Sequence, residues 1–320
     1  MRTFILEDPD QCRKAWEANW PVKGLFDLWP VRSCFQLSYE RPLSFHLAEQ
    51  NGRIVGFMPL SWNEEKQNFV QFPGETWQGK TWLEQNQILA ESPEVFRALL
   101  DSVPGSLHLR YLNYSPLLEC LGMPRQDEIG FLFFPRLHDF SMDNFWMAFP
   151  GKSRKKLKAE TGKLEGRNLT FRFNHLPDLG AMFRMNVEVF NSTSYFSDDR
   201  FFHAFERLAA YLWDMGMLRV TTILIEGKLA AVDMGAIFNN TYTLLAGGAN
   251  PEFPGVAKVI NLHHLEWSCH KGFDSVDFLC GNFNWKERFR LTPRPLYEIR
   301  RETALPFRDN PVHETVRACA

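Results

Sequence analysis

One order of elements is written twice along this chain, and that repetition restricts its fold more than any single motif does. In the first half, Thr3 to Glu7 reads as a strand and Pro9 to Asn19 as a helix with Cys12, Ala15 and Trp16 on one face. A hairpin follows, in which the apolar runs Leu43 to Glu49 and Ile54 to Trp62 flank Gln50-Asn51-Gly52-Arg53, and Asn-Gly supplies the positive φ values of a tight turn. Asn68 to Phe72 is a further strand, Pro93 to Ser102 a helix with proline in its first turn, and Leu107 to Leu112 a strand. Leu117 to Leu121 and Gly130 to Phe134 complete the half as a short helix and a last strand.

The second half repeats this order. Leu169 to Phe173 is the strand, Leu179 to Phe190 and Asp199 to Trp213 are helices, and Leu218 to Ile225 with Leu229 to Phe238 form a hairpin about Glu226-Gly227-Lys228. Thr241 to Ala246 is the next strand, Val256 to Lys271 the next helix, and Ser275 to Leu279 the strand after it. Strands and helices alternating twice in one order predict a mixed α/β chain made of two like units, which suits 320 residues of which 45% are hydrophobic. The expected boundaries are 1–140 and 167–305, with a connector at 141–166 and a tail at 306–320.

That connector holds the densest charge in the chain. Lys152, Arg154, Lys155, Lys156, Lys158 and Lys163 face only Glu160 and Glu165, a poor arrangement for helical ion pairing and a good one for an anionic ligand. The formal net charge of -2 gives no general pull toward DNA or an anionic membrane, so any anion site is local. No run approaches the ~20 apolar residues of a membrane span, and the N-terminus turns acidic after a short apolar run, so a cytoplasmic, non-membrane protein is expected. The six cysteines lie far apart with no CxxC, which argues for reduced thiols and against a zinc site. Ten Trp and 29 Phe fit either a wide interior or a groove for a long ligand.

Phe253-Pro254-Gly255-Val256-Ala257-Lys258 reads as a glycine loop opening a helix, which points backbone N–H groups and the positive end of the helix dipole at an anion. After that helix comes Asp277-Phe278-Leu279-Cys280-Gly281, then Trp285-Lys286 and Arg288-Phe289. Together with the basic Ser153 to Lys158, these motifs resemble the GNAT-like acyltransferases that include cellulose-biosynthesis-associated acetyltransferases and, more remotely, the Fem peptidoglycan aminoacyl-transferases. The resemblance covers roughly 145–290, and the first half looks like the degenerate leading unit of the Fem fold.

The resemblance implies a tandem GNAT-like fold and transfer of an acyl group, acetyl above all, from acyl-CoA to an amine or hydroxyl of a sugar, peptide or lipid precursor. It implies that the strands Thr241 to Ala246 and Ser275 to Leu279 splay apart for the donor. Gly247, Gly248, Gly255, Val256, Ala257 and Lys258 become the donor-binding residues. Lys286 is assigned to charge stabilisation near the transferred carbonyl, Trp285 to stacking beside it, and Asp277 to the catalytic group. Arg154, Lys155 and Lys158 become an acceptor site for a phosphate or carboxylate. Trp285 replaces the family's usual Tyr or Phe, which keeps stacking and removes any phenol acid.

Other residues read as structural. Cys280 has no visible histidine partner, His263, His264 and His270 lack a third ligand at helical spacing, and Asp198 with Asp199 suit helix capping. Two further functions stay open: a Fem-like transferase using aminoacyl-tRNA, and a degenerate binding module. With one cationic segment and no sustained heptad pattern, CoA is favoured over tRNA.

Overall fold

The computed structural model describes residues 1–281 and 285–302. The expected tail 306–320, with Cys319, lies outside the described residues. In chain order the first half contains β1 (Arg2–Leu6), α1 (Pro9–Asn19), α2 (Trp29–Tyr39), β2 (Leu43–Gln50), β3 (Arg53–Asn63), β4 (Asn68–Gln71), β5 (Thr76–Trp77), β6 (Lys80–Thr81), β7 (Leu89–Ala90), α3 (Pro93–Asp101), β8 (Leu107–Leu112) and β9 (Arg125–Phe133). Two helices follow, α4 (Met142–Met147) and α5 (Gly151–Glu165). The second half contains β10 (Leu169–Phe173), α6 (Asp178–Phe190), α7 (Asp199–Asp214), β11 (Leu218–Ile225), β12 (Lys228–Phe238), β13 (Thr241–Ala249), α8 (Val256–Lys271), β14 (Ser275–Asp277), α9 (Trp285–Arg288) and β15 (Thr292–Arg301).

Local chemistry accounts for most boundaries. Asp8, Ser92 and Asp198 each accept a backbone N–H of the helix that follows, so Asp198 is the cap and Asp199 the first residue of α7. Asn51 and Gly52 take the left-handed conformations expected between β2 and β3. The basic connector forms two helices, broken at Pro150, whose ring cannot continue a helix already under way. Helix α2 completes the match between halves, since each first strand is now followed by two helices. Strand β15 was not expected, and its Pro293 and Pro295 explain why.

The main sheet runs β1-β2-β3-β4-β8-β15-β9-β14-β13-β12-β11-β10, with β7 added beside β3. The duplication is visible in its pairing. β1 to β4 are antiparallel neighbours and β4 lies parallel to β8, while β10 to β13 are antiparallel neighbours and β13 lies parallel to β14. The halves meet by exchange: β9 of the first half pairs with β14, and β15 of the second half pairs with β8 and β9. One apolar core joins α2 (Val31, Phe35) to α6 and α7 (Met182, Phe205, Leu208), so both halves share an interior.

In each half the parallel pair is where the sheet opens, and the two openings differ. β4 and β8 pair only at Phe69 and Leu107, and the chain itself fills the gap beyond. Asn86 bridges to Leu112, its N–H donating to Tyr111 O (2.9 Å) and its carbonyl accepting from Asn113 N (2.8 Å). Fully buried Arg32 closes the plug, donating to the carbonyls of Phe26 and Phe72 and to Asn86 Oδ1 (2.9 Å). No described helix is long and apolar enough to cross a membrane. None of the described cysteines is in a disulfide.

His46 on β2 is buried with its ring nitrogens against Ser44 Oγ (3.0 Å) and Ser102 Oγ (2.7 Å), and burial, aided by the charge of Arg301, holds its pKa at about 4. The ordinary value is 6.5, so the unfolded chain binds the proton first. The resulting stabilisation, about 3 kcal/mol, is complete above pH ~6.5 and is lost as pH falls toward 4. Half-buried His263 acts in the same direction. Denaturant melts should therefore weaken from pH 7 to pH 4.5, and His46→Gln should flatten that fall. An unaltered slope would contradict this role.

Candidate active site

In the second half no described strand or loop fills the opening. β13 and β14 pair at Thr241 with Ser275, Tyr242 with Val276 and Thr243 with Asp277, and there β14 ends. β13 runs on to Ala249, and its register with β12 slips so that Met234 faces Ala246 while Gly235 faces Leu244. Leu245 is thus the extra residue of a β-bulge, which bends β13 away from its partner at the point where pairing stops. Among the described residues no strand pairs with that edge of β13 beyond Thr243. Asn186 of α6 reaches over it, donating from Nδ2 to Gly247 O (2.8 Å).

Across the opening, the wall is the segment Phe278 to Gly281. Leu279 is held at φ 56, an unusual conformation for a branched residue, by its N–H donating to Asp277 Oδ1 (2.9 Å). Lys286 fixes the segment from behind. Its Nζ donates to the carbonyls of Phe278 (2.8 Å), Leu279 (2.8 Å) and Cys280 (2.7 Å), and its side chain is buried. Burial pulls its pKa below the usual lysine value, against the pull of Glu84. Trp285 packs edge-on against Phe278 and Phe289, with centroids 5.3 and 5.2 Å apart.

Between these walls lies a cavity of about 680 Å³, a size common for small-molecule sites. Its lining is mostly apolar and aromatic and comes from both halves. The first half contributes Lys80, Thr81, Trp82 and Glu84 from the loop that plugs its own opening, with Arg110 and Tyr111 from β8. Glu84 Oε1 accepts the N–H of Cys280 (2.6 Å), and burial followed by the charge of Asp277 raises its pKa. Burial, and next the charge of Glu84, raise the Cys280 thiol, which stays protonated and suits no thiolate chemistry.

The residues singled out in sequence separate into groups. Gly247, Gly248, Ala257, Trp285 and Lys286 line the cavity. The two glycines are also packing requirements, because a Cβ at Gly247 would lie 2.3 Å from Asp233 Oδ1 and one at Gly248 2.5 Å from Met182 O. Gly255 caps α8 at φ 93, Val256 is buried in the core under α8, and Lys258 is paired with Glu160 of α5. None of these three lines the cavity. Asp277 turns away from it to Arg294 Nη1 (2.8 Å) and Gln85 Nε2 (2.7 Å).

Arg154, Lys155 and Lys158 lie on α5, which packs against α8. They are outside the cavity lining. Arg154 donates to Trp146 O (3.5 Å), and Lys158 Nζ stands 5.1 Å from the Trp146 ring. Sequence reasoning missed the whole contribution of residues 80–84, which no periodicity could connect to a site in the other half. It also missed Asp233, an acid in the otherwise apolar Leu229 to Phe238, whose Oδ2 meets His264 Nε2 at 2.9 Å. Among the described residues no group of three or more His, Cys, Asp or Glu could hold a metal ion.

Residues 151–287 match the model of the acetyltransferase (GNAT) domain. No curated protein matches the chain. Among solved structures it is similar to FemX, with TM-score 0.58 at 11% identity over 93% of this chain and 96% of that chain. A conserved protein of unknown function from Bacteroides thetaiotaomicron gives 0.59 at 11% identity, over 93% and 99%. The C-terminal domain of a putative lysylphosphatidylglycerol synthetase from Agrobacterium fabrum gives 0.54 at 10% identity, over 92% and 93%. Such identities speak for the fold alone. With the domain match and the duplicated sheet, they make this a mixed α/β chain of tandem GNAT-like units, the match to the acetyltransferase (GNAT) domain falling on residues 151–287.

Proposed function

We propose that the chain transfers an acyl group from an activated donor to an amine or hydroxyl, with the reaction in the cavity between β13 and Phe278 to Gly281. The observation that carries this reading is the unpaired edge of β13 beside a largely apolar cavity. An extended donor arm can hydrogen-bond along that edge, and backbone groups fixed by the bulge at Leu245 need no reorganisation when an oxyanion forms. Transfer demands little else beyond positioning and a route for one proton.

Acyl-CoA, acetyl-CoA first, is the leading donor. The N-terminus of α8 behind Gly255 offers its dipole to a pyrophosphate, although Lys258 is committed to Glu160. Aminoacyl-tRNA is the second reading, and two observations favour it: the whole-chain fold likeness to FemX and to the putative lysylphosphatidylglycerol synthetase, and the exposed Lys152, Lys155, Lys156 and Lys163 of α5. Arg154, Lys155 and Lys158 remain the proposed capture site for an anionic group of donor or acceptor. A cytoplasmic setting remains part of the proposal, as do the boundaries 1–140 and 167–305.

Lys286 has a role consistent with its hydrogen bonds: it positions the wall and adds positive potential beside the transferred carbonyl. Trp285 stacks at the same wall. Asp277 is better suited to holding Arg294 than to touching substrate.

Thermal denaturation with acetyl-CoA and with charged tRNA separates the donors. At ~100 times its Kd a true donor stabilises the fold by ~2.7 kcal/mol, and the plugged first half limits binding to one equivalent per chain. No shift with either donor would refute the reading. Gly255→Asp should weaken acetyl-CoA binding about tenfold without unfolding, and unchanged affinity would remove the α8 site. Lys286→Met leaves three carbonyls without their donor, at about 1–3 kcal/mol for each group left unsatisfied, so melting temperature and kcat should fall together. A normal melt with reduced kcat would point to a purely chemical role.

A further inference from the structure

Under α8 the sheet carries a strip of polar groups in an otherwise apolar interface. Asp233 on β12 stands opposite Thr221 on β11 and Gly247 on β13, and its carboxylate occupies the space that a side chain at Gly247 would need. Asp233 lines the cavity, and fully buried His264 of α8 stands behind it, Nε2 to Oδ2 at 2.9 Å. Next in the strip is Tyr242, also fully buried, its ring lying across Gly235, where a Cβ would come within 2.4 Å of the hydroxyl. Arg219, opposite Gly235 on β11, ends the strip between the rings of Phe173 and Trp267 at 4.0 and 4.5 Å.

Several of these groups have no partner among the described residues: His264 Nδ1, Tyr242 Oη, Thr221 Oγ1 and Arg219 Nε. A cluster of unsatisfied buried polar groups is costly to stability, which argues for a use other than packing. The cavity's other carboxylates sit beside arginines, although Glu84 Oε2 has no hydrogen-bond partner among the described residues. Glu84 accepts the Cys280 N–H and stands 3.6 Å from Arg294, and Glu128 is half exposed beside Arg110 at 4.0 Å.

Resting on the acyl-transfer reading, we infer that Asp233 is the catalytic base of this site and His264 its positioning residue. The acceptor nitrogen or oxygen bonds to the donor carbonyl carbon as the bond from that carbon to the leaving sulfur or oxygen breaks. Asp233 Oδ1 takes the proton from the acceptor and returns it to the leaving atom, so the carboxylate ends as it began. His264 Nε2–H donates to Oδ2 throughout, holding the carboxylate over Gly247. The charged and titratable groups around the pair are Arg219 on β11, Tyr242 on β13 and, on α8 itself, His263, which His270 influences in turn.

The experiment measures kcat, acceptor KM and donor Kd for transfer from acetyl-CoA, and in parallel from lysyl-tRNA, to a panel of primary amines at one fixed pH. Asp233→Asn keeps the shape and should lower kcat by about 10²–10⁴ with donor Kd unchanged. His264→Leu should lower kcat about 10²-fold with donor Kd and acceptor KM intact, while His264→Gln, whose amide N–H can still donate to Oδ2, should recover most of that loss, and this pair decides the matter alone if Asp233→Asn does not fold. Wild-type kcat in Asp233→Asn, or wild-type kcat in His264→Leu, overturns the assignment while leaving acyl transfer standing. If the wild type binds and turns over neither donor, the acyl-transfer reading itself has failed, and this assignment with it.

Discussion

Arg294 sits where three distant parts of the chain meet, and the candidate site depends on its charge. Its guanidinium donates to Asp277 at the end of β14 and stands 3.6 Å from Glu84, while Gln85 also donates to Asp277. β15 brings the arginine, β14 the aspartate, and the first half's own loop the glutamate and glutamine. Both carboxylates are nearly inaccessible to water. Two buried anions without their cation would be strongly destabilising, so strand exchange, the end of β14 and residues 84–85 are held in one arrangement or not at all. That arrangement sets the far wall of the cavity.

The duplicated sheet gives each half the same opening and a different fate for it. In the first half the chain after β4 turns into the gap, where Asn86 pairs with the end of β8 and Arg32 satisfies the carbonyls that would otherwise be orphaned. In the second half the chain after β13 goes straight to Gly255 and α8, and no described segment fills the gap. The plug is not inert, because its preceding residues Lys80 to Glu84 build part of the open cavity. One unit has become the wall of the other.

Much of the fold was legible because its elements are strongly patterned. α1, α8, β10 and β11 coincide with the expected spans, and the hairpins were marked by Asn51-Gly52 and Gly227. What failed has physical causes. The strand expected over Thr241 to Ala246 continues through Gly247-Gly248-Ala249, whose side chains are too small to signal a strand, and the strand expected over Ser275 to Leu279 stops at Asp277, because the apolar Phe278 and Leu279 belong to a wall and not to a ladder. α2 went unread because Trp29-Pro30 looks like a loop. At the site, glycine and Trp-Lys motifs could be found by type, whereas the partners of Asp277, Lys258 and Lys286 could not. Ion pairing across 98 residues, as in Lys258 with Glu160, leaves no periodic trace.

The central claim is that donor binds along the open edge of β13. Amide hydrogen exchange, with acetyl-CoA and charged tRNA each added in saturating amount, tests it most directly. The account predicts new protection concentrated at residues 244–249, 278–281 and 80–84, with the plugged opening around 69–72 and 107–112 unchanged. Protection at the first-half opening with none along residues 244–249 would contradict it.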